Sequence, residues 1–158
     1  MKKEDKELLL QDLSMRLPYG VKCQAHNGTL ICVNANNGIA VVQTDRGVRQ
    51  VLIVNLKPYL RPMSSMTDEE KKDLLNYVVS KDSKYFEVCS DGSITDMSPD
   101  VQDFKSFELK WINFHPNTTS RNIGWLLKNH FDFCDLIPKG LALEAPKDMY
   151  NEIKEEKK

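Results

Sequence analysis

At 158 residues, of which 41% are hydrophobic and 28% charged, the chain is sized for one domain or two small subdomains sharing a core, and is too apolar for disorder. No stretch approaches the roughly 18 consecutive apolar residues of a membrane-spanning helix. The formal net charge of −1 conceals an asymmetry: residues 17–66 hold Lys22, Arg46, Arg49, Lys57 and Arg61 against Asp45 alone, whereas residues 67–103 hold ten acids against four lysines. That contrast fits a nucleic-acid surface or two segments that neutralise each other.

Residues 4–17, EDKELLLQDLSMRL, predict an amphipathic helix. Leu9, Leu10, Leu13 and Leu17 recur at three-to-four spacing, the early acids suit the helix dipole, and Pro18 and Gly20 stop it. Lys2 and Lys3 are followed at once by Glu4, Asp5 and Glu7, and the uncharged apolar run is only Leu8–Leu10. A signal peptide needs a longer one, so the expected location is cytoplasmic.

Between Val21 and Val54 four β-rich runs follow, VKCQAH, TLICVN, GIAVVQT and GVRQVLIV. Asn27-Gly28, Asn36-Asn37-Gly38 and Asp45-Arg46-Gly47 separate them, each with a residue that tolerates positive φ. This predicts a four-stranded antiparallel meander. A two-residue turn at Asn27-Gly28 pairs Cys23 with Cys32 at a non-hydrogen-bonded position, where side chains approach most closely. Oxidation there is conceivable, but a reducing compartment favours two small buried thiols. In that register Cys23, Ala25, Leu30 and Cys32 face one side, Ile31 and Val33 the other. Apolar residues on both faces predict a sheet curling towards an SH3-like barrel, or one covered by helices.

The two prolines of NLKPYLRPMSSM forbid a regular element throughout, and a short turn or 3₁₀ segment with Tyr59 and Leu60 packed inward is expected. In TDEEKKDLLNYVVSK, Thr67 and Glu70 form a capping box and Leu74, Leu75 and Val78 a buried stripe. Residues 81–116 suggest a hairpin about Asp91-Gly92, a loop over 96–103 and a strand in FELKWINF. NTTSRNIGWLLKNHF predicts a last helix, capped by Thr119 or Ser120, with Ile123, Leu126, Leu127, His130 and Phe131 on one face. NEIKEEKK is expected to fray. The predicted fold class is α+β, with 1–66 a helix plus basic meander. The second half, 67–158, is anchored by Trp111, Phe114, Trp125 and Phe131, and either shares that core or forms a subdomain.

The motifs of common chemistries are missing: there is no P-loop, G-x-G-x-x-G, H-E-x-x-H or G-x-S-x-G. His130 and Cys134 stand four apart, as two ligands on one helical face would, but too few further ligands accompany them for zinc. Cys134 lacks the surroundings of an activated thiol, which makes a small Cys/His enzyme a distant reading. No metal, cofactor or catalytic residue is assigned. The basic residues Lys22, Arg46, Arg49, Lys57 and Arg61 could contact phosphates, yet the runs from 21 to 54 carry no aromatic residue to stack on bases. NHFDFCDLIPKGLALEAPKDMY, with Phe131, Phe133, Leu136, Ile137, Leu141 and Leu143, reads as a tail docking on the core.

Two stretches, LKPYLRPMSSMTDEEKKDLL and WLLKNHFDFCDLIPKGLALEAPKDMY, resemble segments of a family of small uncharacterised proteins from gut Bacteroides-type bacteria and their phages or prophages. The likeness covers roughly residues 8–80 and 123–150. Family members tend to have Tyr-Arg-Gly where this chain has Phe133-Cys134-Asp135. The resemblance implies a bacterial or phage setting and brings no mechanism with it. The leading expectation is therefore a non-catalytic binding or adaptor module with a protein partner; the alternative is a nucleic-acid-associated protein. A polar-rimmed apolar patch would favour the first, a contiguous basic groove the second.

Overall fold

The computed structural model describes residues 1–78, 86–88, 94–96 and 123–150, with positions 75, 78, 86–88 and 94–96 described by backbone alone. These residues divide into two compact units. The first holds 1–61 and 127–150, the second 62–78, 86–88, 94–96 and 123–126.

The first unit opens with α1 (Lys3–Arg16), which ends in a 3₁₀ turn at Pro18 and at Gly20, whose φ of 67° reverses the chain. Strands β1 (Lys22–Cys23), β2 (Gly28–Asn34), β3 (Ile39–Thr44) and β4 (Gly47–Leu52) then pair in that order, all antiparallel. The expected meander and α+β class are present. The sheet is open: among the described residues β4 does not return to β1, and no closed barrel forms.

Two details of register differ from expectation. Cys23 pairs with Gly28, not with Cys32. The left-handed turn residues are His26 (φ 56°) and Asn27 (φ 48°), while Gly28 is extended at φ −98°. Glycine is needed at 28 for space, because a Cβ there would lie 2.9 Å from the Gln43 carbonyl oxygen and 3.0 Å from Val42 Cβ. Further on, Leu30 pairs with Val42 but Cys32 with Val41, so Ile31 is the extra residue of a bulge. The bulge returns Val33 to the inner face and leaves Cys32 outside. Cys23 is buried and Cys32 exposed, and neither is in a disulfide.

The core under the sheet joins Leu9 and Leu13 of α1 to Val21, Cys23, Leu30, Ala40, Val42, Ile53, Leu56 and Leu60, and to Leu136, Leu141 and Ala142 of the tail. Tyr59 and Leu60 form a short strand, β5, while the expected 3₁₀ segment of this stretch lies at Met63–Ser65; Leu60 is fully buried and Tyr59 half-buried. The tail bonds to both edges of this strand. On one edge Leu143 N–H donates to Pro58 C=O at 2.9 Å and Ala145 N–H to Leu60 C=O at 2.7 Å, making a parallel pair with β8 (Leu143–Glu144). On the other, Arg61 N–H donates to His130 C=O and Asp132 N–H to Arg61 C=O, each at 2.8 Å. The docking tail read from the sequence is thus a clip closed around Pro58–Arg61.

The second unit holds α2 (Asp68–Val78), β6 (Phe86–Val88) and β7 (Ile94–Asp96), the last two paired as an antiparallel hairpin. The capping box is reciprocal: Thr67 Oγ1 accepts from Glu70 N–H at 3.2 Å, and Glu70 Oε2 accepts from Thr67 N–H at 3.0 Å. Leu74 is buried; of the loop expected over 96–103, Asp96 instead ends β7 and the rest lies outside the described residues, as do the side chains of Leu75 and Val78, the FELKWINF strand, Trp111, Phe114, the Thr119/Ser120 cap and NEIKEEKK. Residues 123–128 form the last helix, α3, with Trp125, Leu126 and Leu127 buried. It stops at Lys128, so His130 and Phe131 belong to the turn and bridge that follow, not to its apolar face.

Because Thr67 satisfies the N–H of Glu70 in the first turn of α2, Thr67→Ala should lower stability by about 1 kcal/mol in denaturant unfolding. An unchanged midpoint would mean that α2 does not depend on this cap.

Candidate functional site

The chemistry-bearing residues of the first unit gather where α1 meets the tail. Asp12 and Arg16 lie one turn apart on the same helical stripe as Leu9 and Leu13, so forming the helix carries both charges inward. Each side chain has no exposed surface. Arg16 Nε donates to Asp12 Oδ2 at 2.6 Å, and Nη2 donates to Asp12 Oδ1 and to the Phe131 carbonyl, both at 2.9 Å. The Phe133 ring lies 5.6 Å from the guanidinium carbon. Asp132, also buried, accepts from Leu136 N–H and Ile137 N–H, one on each carboxylate oxygen at 2.8 Å. A carboxylate thus shapes the turn of the tail as it would shape a helix start.

His130 lies two residues beyond the end of α3. Its φ of 60° turns the chain, and its ring stacks on Tyr150 with centroids 3.7 Å apart and planes 19° from parallel. The Tyr150 hydroxyl donates to Tyr59 C=O at 2.7 Å and accepts from Lys22 N–H at 3.2 Å. Burial, with Arg16 and Arg61 close by, lowers the His130 pKa to about 3. Burial, reinforced by Asp12, pushes the Cys134 thiol up to about 11, and burial raises Cys23 to about 12. His130 is therefore held neutral and Cys134 protonated, the reverse of the thiolate–imidazolium pair that cysteine chemistry uses. With α3 ending at 128, His130 and Cys134 do not share a helical face. Among the described residues no three His, Cys, Asp or Glu side chains gather around a common point suited to a metal ion.

The basic residues fall into two places. Lys22 lies in β1, Lys57 beside it through the bond from Gln24 N–H to Lys57 C=O (2.9 Å), and Arg61 at the end of β5. The Arg61 guanidinium sits 4.3 Å over the Phe131 ring. Arg46 and Arg49 lie at the other side of the sheet, in the β3–β4 turn and on β4, both exposed.

The surface that the sequence only hinted at is the outer face of β2–β4. Register assigns Leu30, Val33, Ala40, Val42 and Val51 to the inner layer. The outer layer holds Ile31, Cys32, Ile39, Val41, Val48 and Leu52, rimmed by Thr29, Asn34, Gln43 and Gln50. Ile31 is 48% exposed, Val48 54% and Leu52 52%. Lone exposed apolar residues are ordinary; here such residues recur on the same face of three neighbouring strands. Among the described residues no helix is long and apolar enough to cross a membrane. Comparisons with protein-family models, with curated proteins and with solved structures found no match.

Asp12→Ala strands a buried guanidinium and should cost about 3–5 kcal/mol, while Asp12→Leu with Arg16→Met should recover much of that loss; denaturant unfolding of the three chains reads the difference. The lowered His130 pKa has its own signature. The unfolded chain binds a proton near pH 6.5 that the folded chain does not take up until about pH 3. Stability is thus complete above pH 6.5 and falls with pH through that window, by at most about 1.4 kcal/mol per pH unit. His130→Asn, which tolerates the same φ, should flatten the slope of stability against pH between 6 and 4. An identical slope in the variant would assign the dependence to other groups.

Proposed function

We propose that this protein is a non-catalytic binding module that engages a protein partner through the outer face of the β2–β3–β4 sheet. The observation that carries the reading is the largely apolar outer face of Ile31, Cys32, Ile39, Val41, Val48 and Leu52, interspersed with Gln43 and Gln50 around Val48. The polar cluster around Arg16 supports it from the other side, since Arg16 holds the tail through the Phe131 carbonyl and burial keeps the imidazole neutral and the thiol protonated. A phage or prophage setting belongs to the same reading, supported by the resemblance of the two quoted stretches. So does a cytoplasmic location, which the free thiols Cys23, Cys32 and Cys134 suit. A meander curled towards an SH3-like barrel is also part of it, supported by the apolar inner layer and the bulge at Ile31.

The nucleic-acid alternative rests on Arg46 and Arg49, the two exposed neighbours among the five basic residues. Such contacts would be salt-dependent and lost on reversing both charges.

Peptides selected from a random display library against the intact protein should perturb amide resonances of β2–β4. Val48→Glu with Leu52→Glu should weaken them strongly and leave the melting midpoint nearly unchanged, because both side chains are exposed. Ligands that map to other surfaces, or that bind the double variant as well as the unaltered chain, would overturn the reading.

A further inference from the structure

The outer face ends at β4, which among the described residues is paired on one side only. Ile53 N–H donates to Gly38 C=O at 2.9 Å, one step beyond the pairs Ile39–Leu52 and Ala40–Val51. Bonding and non-bonding residues alternate along an antiparallel ladder. Arg49 and Val51 therefore bond towards β3, and the N–H and C=O groups of Val48, Gln50 and Leu52 point away from it. Among the described residues no strand takes them up. The other edge of the sheet is covered: β1 meets the 57–58 segment through the Cys23–Pro58 bridge and the bond from Gln24 N–H to Lys57 C=O.

Exposed edges are usually blunted by proline, by lysine or by a bulge in the edge strand itself. GVRQVL has neither proline nor lysine, and the bulge of this sheet sits in β2. Its side chains sort by face. Val48 and Leu52 extend the apolar outer layer with the polar Gln50 between them, while Arg49 is exposed on the opposite face and forms no ion pair with a carboxylate of the described residues.

We propose that the free edge of β4 receives an extended segment of a protein partner as a fifth strand, with apolar side chains beside Val48 and Leu52 and an acidic side chain opposite Arg49. This rests on the binding-module reading and names the chemistry of its partner. Main-chain bonds supply affinity in such strand addition, and the alternating side chains supply selectivity. Charge decides against a second copy as the occupant. Pairing two β4 strands about Gln50 sets each Arg49 beside the other copy's Val51 and diagonal to its Arg49, with no acid for either cation, whereas a foreign strand with an acid at that position neutralises it.

The probe is a capped peptide of about nine residues alternating valine with threonine and glutamate, compared with its lysine-for-glutamate counterpart. The glutamate peptide should bind, slow amide exchange at Val48, Gln50 and Leu52, and bind on the order of tenfold more tightly than the lysine peptide. Arg49→Glu should reverse that preference. Gln50→Pro removes an outward N–H without touching the β3 ladder and should abolish binding; should this variant unfold, the exchange protection at Gln50 in the unaltered chain carries the test. Binding lost in Val48→Glu with Leu52→Glu, yet without protection at Gln50, would refute strand addition and leave the binding face standing. Binding indifferent to both would sink the two readings together. A chain that dimerises through β4, or peptides that bind without regard to charge, would also overturn the proposal.

Discussion

A guanidinium with no contact to water holds the helix and the tail of the first unit to each other. Arg16 gives two hydrogen bonds to Asp12 and one to the Phe131 carbonyl. Burying an ion costs several kcal/mol, and the cost is recovered only when its geometry is satisfied. Here Nε and Nη2 are bonded while Nη1 is buried without a hydrogen-bond partner, so the placement of α1 against residue 131 meets that condition in part. The Phe131 carbonyl accepts from Arg16 just beyond the end of α3 at Lys128, where the positive φ of His130 turns the chain. The same rotation of α1 that buries Asp12 and Arg16 also buries Leu9 and Leu13. The ion pair and the apolar core therefore select one placement of the helix, and a shift of a single residue would strand a charge and expose two leucines.

From that fixed point the tail runs along both sides of β5. Pro58 has no N–H to offer, yet its carbonyl accepts from Leu143; at the other end Arg61 uses both its N–H and its C=O on His130 and Asp132. The prolines at 58 and 62 keep the strand short, and two passes of the tail satisfy it. Tyr150 completes the closure, with its hydroxyl on Tyr59 C=O and Lys22 N–H and its ring on His130. The stretches LKPYLRP and NHFDFCDLIPKGLALEAPKDMY, far apart in sequence, are bonded to each other.

What could be read from the sequence were the features whose physics is local. Asn36-Asn37-Gly38 and Asp45-Arg46-Gly47 name their turns, Thr67 and Glu70 name a helix start, and the density of large apolar residues from Phe131 to Leu143 names a docking segment. The first hairpin was misread because Asn-Gly is a strong turn signal, and here His26 and Asn27 take the left-handed conformation while Gly28 is kept for the space against Gln43. The bulge at Ile31 has no local signature, and it moves Cys32 outward and Val33 inward. The helical period carried past Lys128 because Phe131 is apolar and fits the stripe, and nothing local announces the positive φ of His130. Asp12 and Arg16 did carry a signal, an acid and a base four apart within a leucine stripe. Their meaning depends on a carbonyl 115 residues away.

The two edges of the sheet show where folding ends as an explanation. At β1 the edge is met by the segment that the tail itself clips, so its polar groups are settled within the chain. At β4 they face outward, and beside them lie Val48 and Leu52, each more than half exposed. Strand propensity accounts for valine and leucine there one at a time, since β-branched and apolar residues suit a pleated surface. It does not account for Ile31, Cys32, Ile39 and Val41 continuing the same layer across two further strands, next to an edge without lysine or proline. The inner face already supplies the core, so stability gives little reason to keep a second apolar layer in water. At this edge outward backbone groups lie beside apolar side chains on one face and the exposed Arg49 on the other, an arrangement to which the packing of the inner face contributes nothing visible.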